Sequence, residues 1–214
     1  MDETDLASWW PIVTGPSMSK RTAILATVLL MLSMLAVAVA PSLMPESYSW
    51  VEHSISESGA QGIDMGWVAR SGFLLAGFAV LLLAGVARDL WGFWGTMAFR
   101  LYGVAVIFAG TFAHGPWEEV PFDRLEGFLH TAAAFFTGLG FVTGVYAVNR
   151  RRAGHSRLSR AYDWLTIVAV LVIPVTMLIF TGHTGIQQRF LALLGYVWLL
   201  TEGLRLYRPL ASRV

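Results

Sequence analysis

The chain has 214 residues, is 56% hydrophobic and has a mean hydropathy of +0.59, with the apolar residues gathered in long blocks. That pattern excludes a water-soluble domain. A formal net charge of +1 offers no basic footprint for nucleic acid, and the absence of cysteine excludes disulfides, thiolate metal sites and a cysteine nucleophile.

Apolar runs near the ~20 residues that a helix needs to cross a bilayer recur along the chain. The expected fold is all-α: an integral membrane six-helix bundle over 21–207, between cytoplasmic segments at 1–20 and 208–214. The opening MDETDLASWW is acidic and aromatic and does not read as a secretory signal, so the first hydrophobic segment is expected to stay as a membrane helix. The spans read as roughly 21–42, 66–87, 97–114, 127–148, 162–181 and 186–207. The first, TAILATVLLMLSMLAVAVA, is ended by Pro41 and Pro45. The second and fourth carry small residues (Gly72, Gly77 and Ala84; Gly138, Gly140 and Gly144) that let helices approach closely. Phe135, Phe136 and Phe141 stud the fourth, and Pro174 is expected to kink or locally break the fifth.

Lys and Arg set the expected orientation. Lys20, Arg21, Arg88, Arg100, Arg150, Arg151, Arg152, Arg157, Arg160, Arg205, Arg208 and Arg213 fall on one side if spans alternate. The other side has Arg70, Arg124 and Arg189 against eight carboxylates, Glu46, Glu52, Glu57, Asp64, Glu118, Glu119, Asp123 and Glu126. Both termini are expected in the cytoplasm and the protein in the inner (plasma) membrane.

His155 lies in the arginine-rich link RRRAGHSR, where a phospholipid-facing role suffices. His53, His114, His130 and His183 come from four separate stretches that all fall at the outer surface on this topology. In HSISESGAQG, His53 and Glu57 are i, i+4 and Ser56 lies between them, so a short helix capped by Ser54 gives the three a common direction. Asp123, Glu126 and His130 follow i, i+3, i+7. Polar groups near a bilayer are costly unless paired, and they turn toward the bundle interior or a water-filled cavity. A shared outward-facing pocket is therefore expected. Arg70 and Arg189, just inside the outer ends of their spans, suit a phosphate or carboxylate, with snorkelling to headgroups as the plain alternative.

Such a pocket suits a lipid or other amphiphile, with His114, Arg70 and Arg189 binding it. Zinc or another divalent metal on His130 and His183, with Glu57 as general base, would activate water against an ester or amide, although no HExxH pair is present. Haem is disfavoured because every histidine sits at a helix end. A metal-free network of Ser56, His53 and Glu57 would instead bind a lipid headgroup or relay protons, or act as a Ser-His-acid nucleophile without a GxSxG elbow, and Asp123 is a further catalytic candidate. The non-enzymatic alternative is an accessory subunit of a larger membrane complex, or a small transporter. Transport is disfavoured because neither an internal repeat nor paired mid-span polar groups are evident.

HSISESGAQG after span one, the histidine in LEGFLHTAAAFF and the GIQQRF opening of span six resemble the prokaryotic membrane family catalogued as domain of unknown function 998. More distantly, ISESGA is similar to an Ile-Ser-Asp-Thr-Gly-Ala stretch of eukaryotic membrane proteins linked to GPI-lipid remodelling and autophagy, with Glu57 in place of the Asp and Ser58 in place of the Thr. The resemblance implies Ser56, Glu57, Gly59 and His130 as positions of interest, and no settled activity.

Overall fold

A computed structural model describes residues 16–152 and 156–206. The readings made of MDETDLASWW, of His155 and of the 208–214 tail fall outside these residues. Six long helices are described: α1 Pro16–Val39, α2 Gly66–Val86, α3 Arg88–Thr111, α4 Arg124–Arg151, α5 Arg157–Ile179 and α6 Thr184–Arg205. The first is extended by a tight 3-10 turn over Ala40–Leu43, in which Pro41 stands at the start, where its missing N–H costs nothing. Helix α1 begins at Pro16 rather than 21, and so takes in part of the expected N-terminal segment.

Five of these helices are long and apolar enough to cross a membrane. Helix α6 is also long, but Gln187, Gln188 and Arg189 lie near one end and Glu202 and Arg205 near the other. Both polar ends are used, as described below.

Helix α3 differs most from expectation. The stretch DLWGFWG reads as a link, yet it is helical from Arg88 and joins the rest of α3 across a kink at Gly92, where φ is 68°. That left-handed conformation suits glycine, which has no Cβ to clash. Arg100, expected at a flank, therefore falls inside the helix. Helix α5 is continuous through Pro174, so the expected interruption does not end it.

Each helix packs on its chain neighbour and α6 closes the ring against α1, with the α1–α2, α2–α3 and α3–α4 pairs the most intimate. Helices in lipid associate through van der Waals packing, which needs backbones that approach closely. A Cβ at Gly77 would lie 2.6 Å from the Gly103 carbonyl oxygen, and one at Gly140 would lie 2.8 Å from the Tyr102 nitrogen. At the bundle centre the Phe99 ring stacks on Trp198 with centroids 4.9 Å apart, and Trp91 lies 4.5 Å from Phe99. Phe141 joins this buried core, whereas Phe135 and Phe136 are exposed on the outside of the ring. The aromatic face read from the sequence is thus two faces.

The bundle has a cap end, carrying the 44–65 and 112–123 loops, and an arginine end, where α4 meets α5 and α6 finishes.

Candidate functional site

At the cap end, HSISESG folds by local hydrogen bonding. The Glu57 N–H donates to Ser54 Oγ (3.2 Å) and the Ser54 N–H donates back to the Glu57 carboxylate (2.5 Å). This reciprocal pair is a capping box. It starts a single 3-10 turn, Glu57–Gly59, and not the α-helix that the i, i+4 spacing suggested. His53, Ser56 and Glu57 consequently point to different partners. The His53 Nδ1 accepts from the Ser49 N–H at 2.8 Å, and its ring packs 5.3 Å from both Tyr48 and Trp117. Glu57 is turned back onto Ser54.

The same stretch docks on the start of α6. Gln188 Oε1 accepts from the Ile55 N–H at 2.5 Å and more weakly from Ser56 at 3.3 Å, and Gln188 Nε2 lies 3.5 Å from Ser56 Oγ. The Arg189 guanidinium donates to the Trp50 carbonyl (2.7 Å), the His53 carbonyl (2.9 Å) and the Tyr48 hydroxyl (2.7 Å). Gly185 sits directly under the Trp50 and His53 carbonyls, where no side chain fits. HSISESG and GIQQRF, two separate motifs in the sequence, are therefore the two halves of one contact. Burial raises the Tyr48 pKa above the ordinary tyrosine value, partly offset by Arg189.

His114 and His130 form a second cluster, between the ends of α3 and α4. Their rings meet edge to face with centroids 5.2 Å apart. His130 Nδ1 lies 2.9 Å from the Ala109 carbonyl and 2.8 Å from that of Phe112. Both are acceptors, so Nδ1 carries the proton. Its Nε2 is buried without a partner. His114 Nδ1 lies 2.6 Å from the Gly115 carbonyl, which fixes the same tautomer and leaves Nε2 as the basic nitrogen. Beside them Glu126 accepts from the Ala113 N–H at 2.8 Å. Asp123 caps α4 by accepting from Leu125 (2.8 Å) and Glu126 (3.1 Å). Gln61 ties the 44–65 loop to this cluster, donating to the Asp123 carbonyl at 3.0 Å and accepting from its N–H at 2.8 Å.

Arg70 on α2 has a buried Nε without a hydrogen-bond partner. His183 stands apart, exposed on the 3-10 turn Thr181–His183. Among the described residues no three His, Asp or Glu side chains gather as a metal would need.

At the arginine end, by contrast, charge is buried. Asp163 on α5 accepts from Arg152 at 2.8 and 2.9 Å, from Asn149 at 2.9 Å and from the Trp198 indole at 2.8 Å. Glu202 on α6 accepts from Arg152, from Arg205 at 2.8 Å and from the Trp91 indole at 3.0 Å. Asp163, Glu202 and Arg152 are 0%, 4% and 6% exposed, so the two carboxylates are neutralised almost entirely by arginine and indole donors. This clasp joins α3, α4, α5 and α6. Sequence reasoning places Arg152 in a solvated link and singles out neither carboxylate. The usable signal is an ionisable residue at each end of the α5–α6 pair, within otherwise hydrophobic sequence.

Between α1 and α6, at the cap end, lies a cleft of about 540 Å³. Met34, Val37, Leu193 and Tyr196 line its apolar length, and Tyr48 and Arg189 also line it. Ser33 donates its hydroxyl proton to the Gly72 carbonyl (2.7 Å), so the Tyr196 hydroxyl donates to Ser33 (2.6 Å) and both polar groups are satisfied.

The helices and their polar ends define a multi-pass helical membrane protein. The chain belongs to the family described as Protein of unknown function (DUF998), which matches residues 22–205. No curated protein and no solved structure matches it.

Proposed function

We propose that the protein binds an amphiphile of the cap-side leaflet, with acyl chains along the α1–α6 cleft and an acidic headgroup at Arg189. On the orientation expected from Lys and Arg, that leaflet is the outer one. The supporting observation is the cleft itself: an apolar groove with a guanidinium in its wall, the division of chemistry an anionic lipid presents. No carboxylate pairs with Arg189 among the described residues, so its charge is left for a ligand. Its contacts to Trp50, His53 and Tyr48 hold it in place and bring the ligand against the cap.

Ala192→Trp fills the cleft without touching a hydrogen bond of the cap. Mass spectrometry of lipid retained by detergent-purified protein should show an enriched acidic lipid in the wild type and about tenfold less in the variant, the loss that ~1.4 kcal/mol of affinity represents. Equal lipid content in both would sink the reading. A stoichiometric protein partner recovered in place of lipid would favour the accessory-subunit alternative.

A second reading concerns His114 and His130. Each donates Nδ1–H to a backbone carbonyl and leaves Nε2 free, as histidines that bind a divalent metal such as zinc do. Two nitrogens fall short of the three protein ligands typical of catalytic zinc, and His183 lies apart, so lipid binding without metal is the preferred function.

A further inference from the structure

A second groove, of about 620 Å³, lies between α3 and α4 at the arginine end, on different helices from the cleft above. Phe93, Trp94, Leu101 and Tyr146 line it together with Arg150 and Arg151. Trp94 is 69% exposed and Tyr146 46%, so the groove faces outward from the ring, where acyl chains would surround the bundle. We propose that it holds an acidic phospholipid of the leaflet at the arginine end, with its chains on the aromatic wall and its phosphate between Arg150 and Arg151.

The charge pattern favours this occupant. Two of the described carboxylates at this end are already taken: Asp163 and Glu202 are buried and paired with Arg152 and Arg205, while Asp89, at the start of α3, is exposed and pairs with neither Arg150 nor Arg151. Arg150 and Arg151 are exposed, and the side chain of neither forms an ion pair or hydrogen bond among the described residues. Simple snorkelling would leave both side chains free to spread into the headgroups. Arg151 is instead seated: a Cβ at Gly92 would lie 2.7 Å from both its Cδ and its Nη1. The kink at Gly92 thus makes room for Arg151 and holds its guanidinium at the mouth of the groove. Basic pockets between membrane helices recognise acidic headgroups by this combination of charge and apolar wall. On the expected orientation the leaflet is the cytoplasmic one.

Trp94 supplies the probe. The full chain is placed in phosphatidylcholine nanodiscs doped with either brominated phosphatidylglycerol or brominated phosphatidylcholine. The Trp94 contribution to quenching is the difference between wild type and Trp94→Phe. Brominated phosphatidylglycerol should quench Trp94 more strongly, with a local enrichment of roughly fivefold per arginine. The double variant R150Q/R151Q should abolish that preference, because it removes both guanidinium charges, and it should leave the fold intact, because both positions are exposed and outside the buried clasp. Equal quenching by the two lipids in the wild type overturns the proposal, as does a preference that survives the double substitution. Protection of Trp94 from both lipids, expected if a second copy of the chain covers the groove, overturns it as well. In the Ala192→Trp background the Trp94 contribution, again taken as the difference made by Trp94→Phe, should be unchanged, which separates this groove from the α1–α6 cleft; its loss there overturns the separate site.

Discussion

The two ends of the bundle solve the same problem with different chemistry. Near the ends of membrane helices, polar groups need partners because burial without them is expensive. At the cap end the partners are mostly backbone groups of irregular loops: Arg189 reaches two carbonyls and a phenol, Gln188 two amides, His130 two carbonyls. At the arginine end they are side chains on helices, two carboxylates against two arginines, with indole and amide donors filling the remaining positions. A loop held by neutral acceptors can open and rehydrate. A charge clasp shared by four helices opens only if the bundle does.

Asp163→Ala is the strongest way to test that contrast. It leaves Arg152 with Glu202 alone and orphans the Trp198 and Asn149 donors, at a cost of about 3–5 kcal/mol. Thermal unfolding in detergent should show a large loss of stability, and an unchanged midpoint would mean that the clasp is not structural. Arg189→Ala should act more locally. Removing the charge-assisted bonds lowers the opening free energy of the cap by about 2 kcal/mol, which appears as roughly thirtyfold faster amide exchange over residues 48–59. A comparable fall in the global unfolding midpoint would contradict the idea of a separable cap. Ser54→Ala should be mildest, about 1 kcal/mol, since it removes one acceptor of the capping box while Glu57 keeps its bond to the Ser54 N–H. Exchange of the Glu57 amide reads it directly, and protection equal to wild type would deny the box a role.

Much of this fold is legible in the sequence alone. Hydropathy locates the helices, since membrane insertion is read from local composition, and it errs mainly where DLWGFWG mixes charge with aromatic residues at the head of α3. Ser54 is expected to cap a helix in HSISESG; its hydroxyl does accept the Glu57 N–H, but the 3-10 turn begins after Ser56, and Glu57 turns back on the Ser54 N–H and thereby leaves the shared face with His53. Of the four histidines expected to converge, His114 and His130 meet, His53 sits across the cap against Trp117, and His183 is exposed on its turn. The arginine clasp escapes a sequence reading because counting Lys and Arg gives orientation without saying which arginine is buried.

By itself the sequence determined that the chain is a helical membrane bundle, because each helix is specified by some twenty contiguous residues. Only the tertiary structure decided which polar residues meet. Gln188 and Ile55 lie 133 residues apart and Arg152 and Glu202 lie 50 apart, yet each pair is in contact. Such pairings depend on helix order, crossing and depth in the bundle, and no local pattern carries that information. The function proposed for the cleft rests on the same fact: α1 and α6, nearly the two ends of the chain, come together to form it.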